Sequence, residues 1–96
     1  MRPSEALARH RGEVLEIIAR YPVSNPRVFG SVARGEDVEG SDLDMLVHPE
    51  GRVGYFELAN LALELERILG CRVDIGEDTS IRAHAKDGIM ADARSI

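Results

Sequence analysis

The alternation of apolar and polar positions divides the chain into six elements. Residues 4–20 carry Leu7, Val14, Leu15 and Ile18 at roughly helical spacing, with Ser4 placed to cap the start and Gly12 as a weak point. Tyr21–Pro22 ends that helix, because a residue before proline avoids the helical region. Asn25–Pro26 reads as part of the connection, and Arg27–Val28–Phe29 as a short strand running into Gly30. Residues 32–35 form a turn or one to two helical turns, and Gly35–Gly40 is a polar loop. Leu43–Val47 is the second strand, closed by His48–Pro49–Glu50–Gly51. Residues 54–69 are the clearest helix: Phe56, Leu58, Leu61, Ala62, Leu65, Ile68 and Leu69 keep one apolar face, Ala59 and Leu63 widen it, and Gly70 sits at the C-cap. Arg72–Ile75 is a third strand ended by Gly76. Residues 80–93 make a weaker last helix, with Ile81, Ala85, Ile89 and Ala93 roughly aligned and Gly88 diluting it. The order predicts an α/β (α+β) domain in which helices pack on a small mixed sheet, with 54–69 as a crossover between strands.

Two of these strands carry acids among apolar positions. Asp42 and Asp44 are one residue apart at the opening of the second strand, so both carboxylates face one way. Like charges so placed repel unless a cation sits between them or one stays protonated. Asp74 interrupts the third strand in the same manner. Three carboxylates near one sheet edge suit one or two Mg²⁺ ions, which take oxygen ligands and can neutralise a transferring phosphoryl group. Asp74 fits a base or a second-metal ligand. Gly30–Ser31, between a strand and a short helix, supplies close backbone approach, free N–H groups and a hydroxyl for an anion. Arg34, about one turn on, has the donor fork for a phosphate. Together they outline a nucleoside triphosphate site without a P-loop, since no G-x-x-x-x-G-K is present.

Each residue also has a plainer reading. Asp42 can cap the 40–42 turn, Gly30 can be an ordinary turn glycine, and Asp74 can face solvent on an edge strand. His48 reads as structural or solvent-facing. Glu36, Asp37 and Glu39 read as a solvated loop, and His10 and His84 as solvent-facing helix positions. Cys71 reads as a small apolar residue, not a nucleophile. The carboxylate case rests on joint occurrence.

Bulk properties narrow the partners. Ninety-six residues make one small domain with a limited core, to which a protein partner or a homodimer would add burial. Acids outnumber bases 17 to 12, a net charge of -5, which argues against non-specific nucleic-acid binding. A single cysteine, no signal peptide and no apolar run of about 18 residues indicate a cytoplasmic protein with no membrane association.

The segments Gly30-Ser31-Val32-Ala33-Arg34-Gly35 and Ser41-Asp42-Leu43-Asp44 resemble the signature of the minimal nucleotidyltransferases, within the DNA polymerase beta-like nucleotidyltransferase superfamily. The resemblance spans nearly the whole chain and implies a single domain over residues 1–96. It implies that Gly30 and Ser31 bind the triphosphate, that Arg34 is the motif arginine, and that Asp42, Asp44 and Asp74 are the metal-binding and catalytic carboxylates. Members of this family usually occur as the antitoxin partner of an all-helical HEPN RNase toxin, and some transfer AMP from ATP to a tyrosine of that toxin. The implied function is therefore Mg²⁺-dependent protein adenylylation, with ATP as substrate and a HEPN-type toxin as partner. The absence of a second domain to hold an acceptor points the same way. The competing readings are an antitoxin that acts by binding alone, nucleotidyl transfer to a small molecule or RNA, and a small α/β domain with structural acids.

Overall fold

The computed structural model describes residues 1–81 and 83–96 and, of these, all side chains but those of 83–85. Two short helices, α1 (Pro3–Arg9) and α2 (Arg11–Ile18), open the chain where a single helix over 4–20 is expected. The break falls at His10 (φ -111°, ψ 21°), while Gly12 lies inside α2. Bending there lets Ala6 of α1 and Val14, Ile17 and Ile18 of α2 all reach the core. Ser4 does not cap α1. Arg2 precedes the first turn, and Glu5 reaches back to accept the Arg2 N–H at 3.1 Å. The Ser4 N–H donates instead to Asp37 Oδ2 at 2.8 Å. Asp37 is thus buried, not part of a solvated loop, because the 35–42 segment folds over the start of α1 and its carboxylate takes up a helix-end donor.

The remaining elements are β1 (Val23–Phe29), α3 (Ser31–Arg34), β2 (Leu43–Pro49), α4 (Tyr55–Leu69), β3 (Val73–Glu77), a 3-10 turn (Asp78–Ser80), α5 (Ala83–Asp92) and β4 (Arg94–Ser95). The sheet order is β3-β2-β1-β4, with β1 antiparallel to β2 and β4, and β2 parallel to β3. Helix α4 makes the crossover that a parallel pair requires. β1 starts earlier than the sequence pattern suggests. A register shift between Ser24 and Arg27, with Asn25 at φ 49°, absorbs Asn25–Pro26 as a bulge, the setting in which a strand tolerates proline. β2 continues through His48–Pro49 because these residues pair with Ser24 and Val23 of β1, and β3 continues through Gly76–Glu77 because the parallel ladder runs from Leu43↔Val73 to Val47↔Glu77. β4 has no hydrophobic pattern of its own and is defined by pairing with Arg27 and Val28.

One face of the sheet is the core. Val28, Leu43, Met45, Val47 and Val73 are buried against Ala6, Val14, Ile17, Leu61, Leu65 and Leu69. On α4 the one-per-turn stripe Leu61, Leu65, Leu69 is buried, and each such leucine contributes about 1.5–3 kcal/mol by leaving water. Phe56 does not join that face: it is 85% exposed, because five residues before Leu61 it lies about 140° around the helix. Gly70 caps α4 in the left-handed conformation, its N–H donating to the Glu66 carbonyl. His10 is half-buried and pairs with Glu13 at 3.1 Å instead of facing water alone, whereas the surroundings of His84 and Ala85 lie outside the described residues. No described helix is long and apolar enough to cross a membrane.

Candidate active site

With Leu43, Met45 and Val47 committed to the core, the two-residue period of β2 sends Asp44, Leu46 and His48 to the opposite face. Strand register then assembles rows across that face. Phe29↔Asp44 and Asp44↔Asp74 form one row over β1, β2 and β3, and Arg27↔Leu46↔Gly76 form the next. A recess of about 230 Å³ opens over the first row, lined by Phe29, Asp44, Asp74, Ile75 and Gly76. Asp74 is exposed on its edge strand, and Asp42 stands exposed one residue before β2.

Gly30 ends β1 at φ 72°, ψ -150°, a conformation open to glycine. A Cβ there would lie 2.6 Å from Asp44 Oδ2, so the carboxylate rests directly against the glycine backbone. From this turn α3 begins, its Arg34 N–H closing back on the Gly30 carbonyl at 3.1 Å. The first N–H groups of so short a helix have no acceptor one turn behind them and are available to an anion.

The charges register one another. Burial pushes the Asp44 carboxyl above the usual carboxylate range, the charges of Asp74 and Asp42 push it further, and Arg34 opposes them. A cation among the acids would remove that penalty. The carboxylates are neighbours and not yet a cage: among the described residues no three acidic, histidine or cysteine side chains converge as a ready metal cluster. Arg34 is engaged, pairing with Glu36 and with Asp92 of α5 at 2.7 Å. Cys71 packs against the core, and burial raises its thiol pKa, in keeping with an apolar role.

Reading along the sequence misses a second polar cluster on the same face. Arg27 is only 8% exposed and donates to Asp78 Oδ2 at 2.6 Å, while His48 Nδ1 meets Asp78 Oδ1 at 3.0 Å. This ties β1, β2 and the turn after β3 together and gives His48 the structural role expected of it. The available signal is spacing: His48 follows Asp44 by four residues, as Asp78 follows Asp74, so the period that aligns the first pair aligns the second.

The nucleotidyltransferase domain family model matches residues 9–96. A Methanocaldococcus jannaschii protein named provisionally as a protein adenylyltransferase is 36% identical over 84 residues, 88% of this chain and 90% of that protein. The protein adenylyltransferase MntA of Thermococcus cleftensis is 38% identical over 77 residues, 80% of this chain and 75% of its own. The solved structure of a protein assigned provisionally as a minimal nucleotidyltransferase superposes with a TM-score of 0.84 at 40% identity, covering 97% of this chain and 95% of the other. A complex of a tri-AMPylated Shewanella oneidensis HEPN toxin with an MNT antitoxin superposes with a TM-score of 0.70 at 14% identity, covering 92% and 69%, a likeness of fold.

Proposed function

From the premise that this chain belongs to the nucleotidyltransferase domain family, we propose that it is an antitoxin that transfers AMP from ATP to a tyrosine of a HEPN-type toxin. The observation that carries this reading is the row Phe29–Asp44–Asp74 lying beside the Gly30 turn. It brings two carboxylates to one recess, with the Gly30 backbone against Asp44 and Asp42 close enough to shift Asp44. Relatives named as protein adenylyltransferases support the activity, and a fold neighbour seated with an AMPylated toxin supports the partner.

The donor set fits Mg²⁺: hard oxygen ligands, like charges in mutual repulsion, and a site kept open by Gly30. Asp42, Asp44 and Asp74 would hold it, and when bound it would offset charge on the transferring phosphoryl group and acidify the acceptor hydroxyl. The chain's own residues do the rest. The α3 N–H groups and Ser31 bind the β- and γ-phosphates, and Arg34 adds its guanidinium after exchanging Asp92 for phosphate. Asp74, on the open edge strand, accepts the proton of the tyrosine hydroxyl. The tyrosine oxygen bonds to the α-phosphorus, the bond from that phosphorus to the bridging oxygen breaks, and pyrophosphate leaves with the electron pair.

The test is incubation of the protein with labelled ATP, Mg²⁺ and its cognate toxin, beside an Asp42→Ala, Asp44→Ala double variant. The wild type should label the toxin and the variant should not. An unlabelled toxin in the wild-type reaction would sink the proposal. Arg34, already neutralised by Glu36 and Asp92, favours one second reading, an antitoxin that acts by binding alone. Full neutralisation of the toxin in cells by the double variant would establish that reading instead.

A further inference from the structure

We propose that the base of the donor nucleotide lies in a second recess beside the carboxylates, and that Gly76 is the residue that keeps this slot open. The inference rests on the nucleotidyl-transfer reading and adds to it the place where the base is held. The second recess, about 270 Å³, is walled by Phe29, Leu46, Ile81 and Ile89, with Ser80 at its margin and Gly76 as its floor. It shares Phe29 and Gly76 with the carboxylate recess, so one begins where the other ends. Together they reach the size range of small-molecule sites, about 300–1,000 Å³.

The chemistry of the walls selects the occupant. Phosphate and sugar are polar and belong at Gly30, Asp44 and Asp74. The adjoining slot offers an aromatic ring and branched aliphatic side chains, which suit a flat heterocycle. Ser80 and Glu77 provide hydrogen-bonding groups at the rim for its polar edge. Gly76 occupies the second row of the open face, between Leu46 and the sheet edge, where its neighbours two residues away carry carboxylates. Any side chain there would project into the slot. The backbone does not demand glycine: φ at 76 is not positive, and a Cβ would meet only Leu46 Cδ2, at 3.8 Å, an ordinary contact. The missing side chain therefore serves the space above the sheet and not the fold of the strand.

The test compares equilibrium binding of ATP and of inorganic tripolyphosphate, both with Mg²⁺, by the full chain and by Gly76→Val. Valine favours a strand, so the variant should melt no lower than the wild type. The wild type should bind ATP at least about tenfold more tightly than tripolyphosphate, and Gly76→Val, at the border of the two recesses, should erase that preference even where it also weakens tripolyphosphate. Ile89→Glu repeats the experiment from the opposite wall and serves if the valine variant fails to fold. Equal wild-type affinities for the two ligands, or folded variants that bind ATP as the wild type does, would overturn the slot. A fall in both affinities by the same factor in the variants, which keeps the preference for ATP intact, would overturn it as well. Failure of the wild type to bind either ligand would bring down the nucleotidyl-transfer reading itself, an outcome separate from the others.

Discussion

The two faces of the sheet are built from the same three strands under opposite rules. On the core face Leu43, Met45 and Val47 of β2 are apolar and fully enclosed. On the other face the alternate positions are Asp44, Leu46 and His48, partnered by Asp74, Gly76 and the onset of the Asp78 turn. The core face gains free energy from burial, whereas the open face holds like charges together at a cost visible in the raised Asp44 pKa. A small domain tolerates such a face because the opposite one is well packed. Stability and chemistry are separated by a single step of the strand period.

Substitutions on the two faces should therefore fail differently. The largest effect is expected from Asp44→Asn, which should lower the rate of AMP transfer by at least about a thousandfold, roughly 4 kcal/mol of barrier. The same change removes a repelled charge, so the protein without divalent cations should melt at or above the wild-type temperature. A drop in melting temperature together with activity would refute the division of labour. Leu65→Ala is the mirror experiment: it should cost about 2–5 kcal/mol of stability by denaturant titration, while the folded fraction keeps its kcat.

Asp37 tests the border between the two. Burial pushes its carboxyl up, but the hydrogen bond from Ser4, its own backbone N–H and the Arg2 charge draw it below the ordinary carboxylate value. A depressed folded-state pKa contributes stability that is present above the unfolded value of about 3.9 and is lost as pH falls through the folded one. Asp37→Ala should cost about 0.5–2 kcal/mol at neutral pH and flatten the acid limb of the stability profile below about pH 4. An unchanged acid limb would mean that other carboxylates set it. The smallest effect should come from Asp92→Asn, which frees Arg34 from an exposed pair and should lower KM for ATP about two- to fivefold with kcat unaltered. A raised KM would show that Asp92 positions the arginine and does not compete for it.

How much of this was legible follows from the range of the interactions. The α4 stripe from Leu61 to Leu69, the β2 alternation and the Gly70 cap are local patterns that read correctly from the chain, whereas Phe56 and Leu63, counted to the apolar face, are exposed. So did the convergence of Asp44 and Asp74, because a crossover helix between two strands dictates parallel pairing. Asp37 misread as solvated loop because its partner, Ser4, is 33 residues away and only tertiary folding joins them. Arg27 was visible as a strand residue and not as a buried cation, since its partner Asp78 is 51 residues distant. The break at His10 has no helix-breaking residue to announce it. β4 owes its existence wholly to an edge offered by β1.

The contact between Gly30 and Asp44 has an evolutionary consequence. Because a Cβ at 30 would stand 2.6 Å from the Asp44 carboxylate, the turn at Gly30 and the Asp44 position of β2 form a single mutational unit. A lineage that abandons catalysis by shortening residue 44 removes the steric bar at residue 30 in the same step, leaving only the backbone preference for glycine. Decay of such a site should thus be correlated: in non-catalytic descendants the two positions drift together, and an intact glycine beside an intact aspartate marks a chain in which neither has begun to drift.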